Sequence, residues 1–485
     1  MVPDATQPWM HRSGRMDPVE HVVIIGGGPG GYESALVAAQ LGARVTVVDR
    51  DGLGGSAVLT DCVPSKTLIA TSDLMTEVLG AGELGVSLGP SGRDEHTVQA
   101  ELRVVNRRVK SLALAQSEDI ARRLDRDGVH TVTGSGRLEG PGTVVVTAAD
   151  GSTERLDADT VLLSTGAYPR SLDAAQPDGE RILTWEQVYD LDELPSRLIV
   201  VGSGVTGAEF AGAYLALGSE VVLVSSRDQV LPGEDADAAR VLQDVFTRRG
   251  MTVVSRSRMS SVERTHGPDG PGVRVTLTDG QTLTGSHCLL ALGSIPNTSG
   301  LGLEEAGVQL DDGGFVKVDG VSRTSVRGVY AAGDCTGVLM LASVAAMQGR
   351  IAMAHALGDA VAPLDLGHVS SNVFTAPEIA TVGCTQRAVD DGTIEADGMM
   401  LDLSGNARAK MQGVHDGFVK LFCRPGTGIV VGGVAVGPQA SELVHPIALA
   451  VSCNLTVDQV AHAFTVYPSM SGSIAEAARR LHRRV

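Results

Sequence analysis

No stretch of the chain approaches the roughly 20 apolar residues that span a bilayer, and its first residues, MVPDATQPWMHRSGRMDPVE, contain no apolar core of a secretion signal. Both absences predict a cytoplasmic protein. Positive charge is also short: 39 Lys and Arg stand against 57 Asp and Glu, for a net charge of -18 and a pI near 5.1. A nucleic-acid backbone or an anionic membrane surface would be repelled, whereas small anions can still bind through backbone N–H groups. Cysteine is sparse as well. The six cysteines, Cys62, Cys288, Cys335, Cys384, Cys423 and Cys453, show neither CxxC nor metal-ligand spacing, so no metal site is expected. In a reducing compartment they read as free thiols, five of them as core filler.

What the chain does contain is apolar surface: 43% of its 485 residues are hydrophobic and 20% charged, enough for two to four buried cores. Residues 1–19 read as a disordered leader, with Met16 as an alternative start, because Pro, Ser, Gly and charge dominate without periodicity. From Val22 an apolar run (VVII), a glycine loop, a helical pattern (YESALVAAQLG) and a second run (RVTVVD) make a βαβ opening. The same order recurs from Leu198 as LIVV, a glycine loop, EFAGAYLALG and EVVLV. Polar, Gly-rich breaks around 85–95, 263–273 and 355–368 read as loops or boundaries. The last hundred or so residues alternate strand-like runs (GFVKLFC, IVVGGVAVG) with helical ones (ASELVHPIALAVSC, MSGSIAEAARRLHRR), which predicts a separate α+β domain.

The first loop, Gly26-Gly27-Gly28-Pro29-Gly30-Gly31, fits GxGxxG through Gly26, Gly28 and Gly31, and Asp49 follows 18 residues after Gly31 at the end of the second strand. Glycines there let the backbone touch a pyrophosphate, the helix dipole faces it, and the acid accepts ribose hydroxyls. Gly202, Gly204 and Gly207 repeat the spacing 176 residues later, but the strand after them ends in Ser225-Ser226-Arg227 instead of an acid. An acid would repel a 2′-phosphate that Arg attracts, so this second site is expected to accept NADPH and to tolerate NADH.

The segment Gly54-Gly55-Ser56-Ala57-Val58-Leu59-Thr60-Asp61-Cys62-Val63-Pro64-Ser65-Lys66 resembles the redox-active segment of flavoprotein disulfide reductases such as dihydrolipoamide dehydrogenase and glutathione reductase. Ser164-Thr165-Gly166-Ala167, Ala332-Gly333-Asp334-Cys335, Leu341-Ala342-Ser343-Val344-Ala345 and Val373-Phe374-Thr375-Ala376-Pro377-Glu378 follow in the family's order, from about residue 20 to 478. The resemblance implies an α/β fold with two Rossmann-like dinucleotide-binding domains and a C-terminal α+β dimerisation domain. It divides the chain into the leader at 1–19, FAD-binding residues 20–170, NAD(P)-binding residues 171–292, FAD-binding or central residues 293–365, and interface residues 366–485. It implies a homodimer, whose partner subunit caps the flavin site and brings in Tyr467. Lys66 and Glu209 would pair beside the flavin N5 and orient the nicotinamide, Asp334 would bind the ribityl chain, and Ala342 would lie at the pyrimidine edge. Gly30, Gly55, Ser56, Gly136, Thr165, Gly166 and Gly293 complete the implied cofactor contacts.

Three departures bear on the reaction. The family has two cysteines five positions apart, where this chain has Ala57 and Cys62, and it has a His-Pro…Glu dyad where this chain has Tyr467-Pro468 and Gly472. Thiol–disulfide exchange needs an attacking thiolate, its partner and a proton carrier. Tyr, near its reference pKa of about 10, is a poor base at neutral pH, and Gly cannot orient it. Lipoamide and glutathione reductase activities are thereby excluded. The disulfide-less NAD(P)H:quinone reductase branch of the family shares the GGxAVLxDCVPSK and VYPSxSGSIxEAARR patterns. That likeness implies hydride transfer from NADPH or NADH to FAD and then reduction of a diffusible quinone, with Tyr467 as a stacking residue or a space-filling aromatic. Two other readings stay open: a peroxidase, oxidase or mixed-disulfide reductase cycling Cys62 through a sulfenic acid, and a non-catalytic FAD- and NAD(P)-binding scaffold.

Overall fold

The computed structural model describes residues 19–86, 98–267 and 270–482. Most of the expected leader and most of the break at 85–95 lie outside them. The first sheet runs Val329–Ala331, Thr160–Leu163, His21–Ile25, Arg44–Asp49, His130–Thr133, all parallel. Its central strands are buried on both faces, as parallel sheets flanked by helices require, which is why they read as unbroken apolar runs. Its strands come from both before and after the second unit, so the chain leaves this layer and returns to it.

The second parallel sheet runs Thr252–Val254, Glu220–Val224, Arg197–Val201, His287–Leu290, Ile182–Leu183. A third, antiparallel sheet of Ser370–Val373, Glu378–Gly383, Val430–Gly437, Phe418–Cys423 and Asp397–Asp402 packs against the Ala440–Ser452 and Gly472–Leu481 helices. The mixed α/β class and the α+β C-terminal part are those expected. No helix of the described residues is long and apolar enough to cross a membrane.

One expected loop is not a loop. Residues 263–267 and 270–273 lie in two paired antiparallel strands, Met259–Gly267 and Gly270–Leu277, extended by Thr282–Gly285. Val262, Val273 and Val275 point inward while Glu263, Arg264 and Arg274 face water. Polar residues on the wet face of a one-sided antiparallel sheet hid the alternation.

The Cys62–Gly80 helix positions the site. It lies between the Leu102–Arg126 helix and the Val205–Leu217 helix that follows the second glycine loop. The latter helix is buried around most of its girth, with Glu209 as its one acid, so a cation must meet Glu209 from a neighbouring element.

Candidate active site

Both glycine loops pass from strand to helix without a side-chain cap. In the first, which opens the Pro29–Gln40 helix, Pro29 has no N–H and the Gly31 N–H donates to Gly28 O at 2.8 Å, so the helix end offers an anion the Gly30 N–H, while the Val205–Leu217 helix begins without proline. The reasons for the glycines differ. A Cβ at Gly26, which has φ +105°, would stand 2.1 Å from Ser164 O, and one at Gly31 would stand 1.9 Å from Gly26 O. Gly202 and Gly207 repeat this, at 2.1 Å from Ala291 O and 1.8 Å from Gly202 O. Those four serve the protein's own packing. A Cβ at Gly28 would have no neighbour nearer than 4.0 Å, and one at Gly204 none within 4 Å. The space above each middle glycine suits close approach of a pyrophosphate, so the residues present fit two dinucleotides.

Asp49 is held by the turn it closes: Oδ2 accepts Gly27 N–H at 2.6 Å and Oδ1 accepts those of Asp51 and Gly52 at 2.8 and 2.7 Å. Oδ2, which accepts a single N–H, keeps a lone pair for a ribose hydroxyl. From this turn a cleft of about 740 Å³ runs past Gly28, Gly30, Gly55, Ser56, Thr165 and Gly166 to Ala57, Cys62, Asp334 and Ala342. Thr165 is fixed to Asn297 by reciprocal bonds of 2.6 and 3.1 Å. Ala342 opens an uncapped helix, Ala342–Ala356. Gly31, Lys66, Glu209, Gly136 and Gly293 do not line the cleft: Gly136 packs over Ile25 and Val48, and Gly293 is exposed, its carbonyl accepting Arg170 N–H at 2.9 Å.

Lys66 Nζ lies 2.8 Å from Glu209 Oε2, and Glu209 Oε1 accepts the Phe374 N–H at 2.8 Å. The ammonium also sits 4.9 Å from the centre of the Phe374 ring. Burial works against the lysine's charge, but the Glu209 carboxylate outweighs it and holds the pKa above the ordinary lysine value. Cys62 is a free thiol at the start of its helix. Burial, with Asp61 beside it, pushes it up to about 12. Burial, with Asp61 nearby, also raises Asp334 to about 6.

At the second loop Ser225 is fully buried, and its hydroxyl is used inside the turn, accepting from Ser203 Oγ at 2.7 Å and Arg227 N at 3.1 Å. It shapes the turn and does not face a ligand. Arg227 is exposed at the tip of that turn. Tyr467 is 86% exposed, next to Phe464 and Val466, on a groove of about 610 Å³ that Gly472 also lines.

Sequence reasoning overlooked three residues of the cleft lining, Asp61, Glu186 and Asn297, and also Phe374, which touches Lys66 and Glu209. Glu186 accepts from Thr60 Oγ1 at 3.2 Å, and burial raises its pKa. Asp61 and Phe374 stand in the sequence only as members of landmark motifs, while Glu186 and Asn297 carry no local signal.

Family models for pyridine nucleotide-disulphide oxidoreductases match residues 20–349, and those for the dimerisation domain of the same family match 369–478. The chain is 56% identical over 472 residues to an NAD(P)H dehydrogenase (quinone) of Mycobacterium tuberculosis, covering 96% of this chain and 94% of that one. It is 32% identical to a dihydrolipoyl dehydrogenase of Chlorobaculum tepidum, covering 94% and 96%. A crystal structure of LpdA from Mycobacterium tuberculosis superposes with a TM-score of 0.90 at 55% identity, over 96% of this chain and all of that one. The flavoprotein disulfide reductase RclA of Escherichia coli shares the fold, with a TM-score of 0.83 at 20% identity, over 95% of this chain and all of that one.

Proposed function

Because the chain belongs to the pyridine nucleotide-disulphide oxidoreductase family, whose cofactors are FAD and NAD(P)H, we propose that it passes reducing equivalents from NAD(P)H through FAD to a diffusible quinone. One observation carries the reading: the Lys66–Glu209 pair is complete at 2.8 Å in a molecule whose cleft presents Ala57 and Cys62 where the family has a disulfide. The half of the site that handles nicotinamide is kept, and the half that exchanges thiols is not.

FAD in the cleft would supply the hydride acceptor and the electron donor. The glycine loops and the N-terminal ends of their helices would hold the two pyrophosphates, and Asp49 would hold a ribose. Lys66, fixed by Glu209 and Phe374, orients the nicotinamide, since correct placement of reactants is worth several powers of ten in rate. Arg227 favours the 2′-phosphate of NADPH. In a homodimer, Tyr467 of the partner subunit would form one wall of the acceptor site. A cycling Cys62 is disfavoured because the nucleophile in such chemistry is the thiolate, and this thiol is pushed up to about 12.

A steady-state screen of the yellow holoenzyme with NADPH and NADH against lipoamide, glutathione disulfide, benzoquinones, naphthoquinones and oxygen tests the reading. Quinones are expected to be the productive acceptors. Turnover of lipoamide or glutathione disulfide, or fast flavin reduction with no quinone turnover, overturns it.

A further inference from the structure

Two-electron reduction of a quinone consumes a hydride equivalent and one further proton, and the family's acid–base dyad is absent: Tyr467 and Gly472 stand in its place. Asp61 lines the cleft directly before Cys62 and is the N-cap residue of the Cys62–Gly80 helix. An aspartate there ordinarily accepts the second or third N–H of its helix. This one does not: its backbone N–H donates to Ser56 O and its carbonyl accepts from Ser65 N–H, while the carboxyl makes no capping bond. Among the described residues it has no hydrogen-bond or ion-pair partner, so the side chain is committed to the cleft and not to the helix.

Resting on the quinone reductase reading above, we propose that Asp61 is the proton donor of the acceptor half-reaction. The balance is NAD(P)H + H⁺ + quinone giving NAD(P)⁺ + hydroquinone. NAD(P)H loses a hydride, the quinone gains two electrons and two protons, and one of those protons leaves the Asp61 O–H for the reduced acceptor's oxyanion. Asp61 then recovers a proton from solvent, for which Thr60 and Glu186, bonded at 3.2 Å on the cleft wall, offer a route.

The groups around Asp61 agree with a carboxyl that holds its proton. Cys62 and Lys66 face it from its own helix, Glu209 from the Val205–Leu217 helix, Glu186 and Tyr189 from the segment before the second unit, and Asp334 from the turn after Val329–Ala331. Burial raises the Asp61 pKa despite Lys66, and the neighbouring Glu209 carboxylate raises it further.

The test compares wild-type, Asp61→Asn and Asp61→Glu holoenzymes with a benzoquinone and with ferricyanide, which takes electrons without a proton. In Asp61→Asn, benzoquinone turnover is expected to fall about 100-fold or more, ferricyanide turnover far less, and Asp61→Glu should recover part of the loss. Wild-type benzoquinone turnover should decline with rising pH and carry a solvent deuterium isotope effect, both missing with ferricyanide. At a pH where Asp61 holds its proton, the flavin midpoint potential of Asp61→Asn should stay close to the wild-type value, since a neutral amide replaces a neutral carboxyl. Equal losses with both acceptors, or benzoquinone turnover in Asp61→Asn with the wild-type rate and pH profile, overturns the proposal. Should the variants fail to bind FAD, the wild-type pH and isotope comparison decides alone, and its absence counts against Asp61. A wild-type enzyme that reduces ferricyanide but no quinone overturns the parent reading instead.

Discussion

Lys420 Nζ lies 2.8 Å from Asp235 Oδ2, both side chains almost wholly buried, and this contact joins the C-terminal sheet to the second dinucleotide-binding unit. Lys420 stands on the Phe418–Cys423 strand, and Asp235 caps the Ala236–Arg248 helix by accepting from Asp237 and Ala238 N–H. Asp237 completes a triad at 2.8 Å. Removing the cation leaves an uncompensated buried carboxylate, so Lys420→Met should cost about 3–5 kcal/mol in denaturant unfolding. The pH sign follows from Asp237, whose pKa the Lys420 hydrogen bond holds below the ordinary carboxylate range. A depressed folded pKa gives stability that is present above the unfolded value near 3.9 and lost as pH falls through the lower folded value. The gap between wild type and Lys420→Met should therefore shrink below about pH 4; a gap unchanged from pH 7 to pH 3 would contradict the triad.

The two kinds of glycine in the first loop separate folding from cofactor binding. Gly31→Ala sets a Cβ 1.9 Å from Gly26 O and should give a destabilised or insoluble protein. Gly28→Ala meets nothing nearer than 4.0 Å and should fold with a wild-type circular dichroism spectrum while losing FAD, by at least about tenfold in affinity if the methyl displaces one charge-assisted contact. FAD content per chain and thermal unfolding of the apoprotein measure the two effects. A Gly28→Ala protein that stays fully yellow would mean that the pyrophosphate does not approach there.

Arg227 is displayed by a turn whose interior Ser225 occupies. Arg227→Glu should lower kcat/KM for NADPH roughly 10- to 100-fold and change that for NADH little, because only NADPH carries the 2′-phosphate. Equal losses with both nucleotides would remove Arg227 from the site.

The two dinucleotide units were legible because fully buried parallel strands read as plain apolar runs and because glycine spacing marks the loops. The Lys66–Glu209 pair was not legible from spacing, since 143 residues separate the partners; only the resemblance joined them. Lys420 shows why such pairs stay hidden: it sits in the strand-like run GFVKLFC, and its partner Asp235 is 185 residues away. The strand pair of Met259–Gly267 and Gly270–Leu277 was missed because its apolar face is only every second residue. Asp61 is not legible as a site residue because it stands inside the segment compared for its cysteines, and only the fold shows that its carboxyl lines the cleft without capping the helix.

The absent disulfide leads to the last prediction. If electrons pass from reduced FAD to the acceptor without a thiol, Cys62→Ser should retain most quinone reductase activity, within about a few-fold, because a thiol pushed up to about 12 contributes almost no thiolate at neutral pH. Lys66→Met should behave differently. It leaves the buried Glu209 without its cation and frees the nicotinamide from its guide, so flavin reduction in a stopped-flow mixing with NADPH should slow by about 100-fold. Ala57→Cys returns the family's second sulfur, yet lipoamide reductase activity should not appear while Tyr467 and Gly472 replace the acid–base dyad. The decisive arm is Cys62→Ser: fast flavin reduction by NADPH combined with abolished quinone reduction would put the thiol on the electron path, and the direct transfer argued from Ala57 and Cys62 would be wrong.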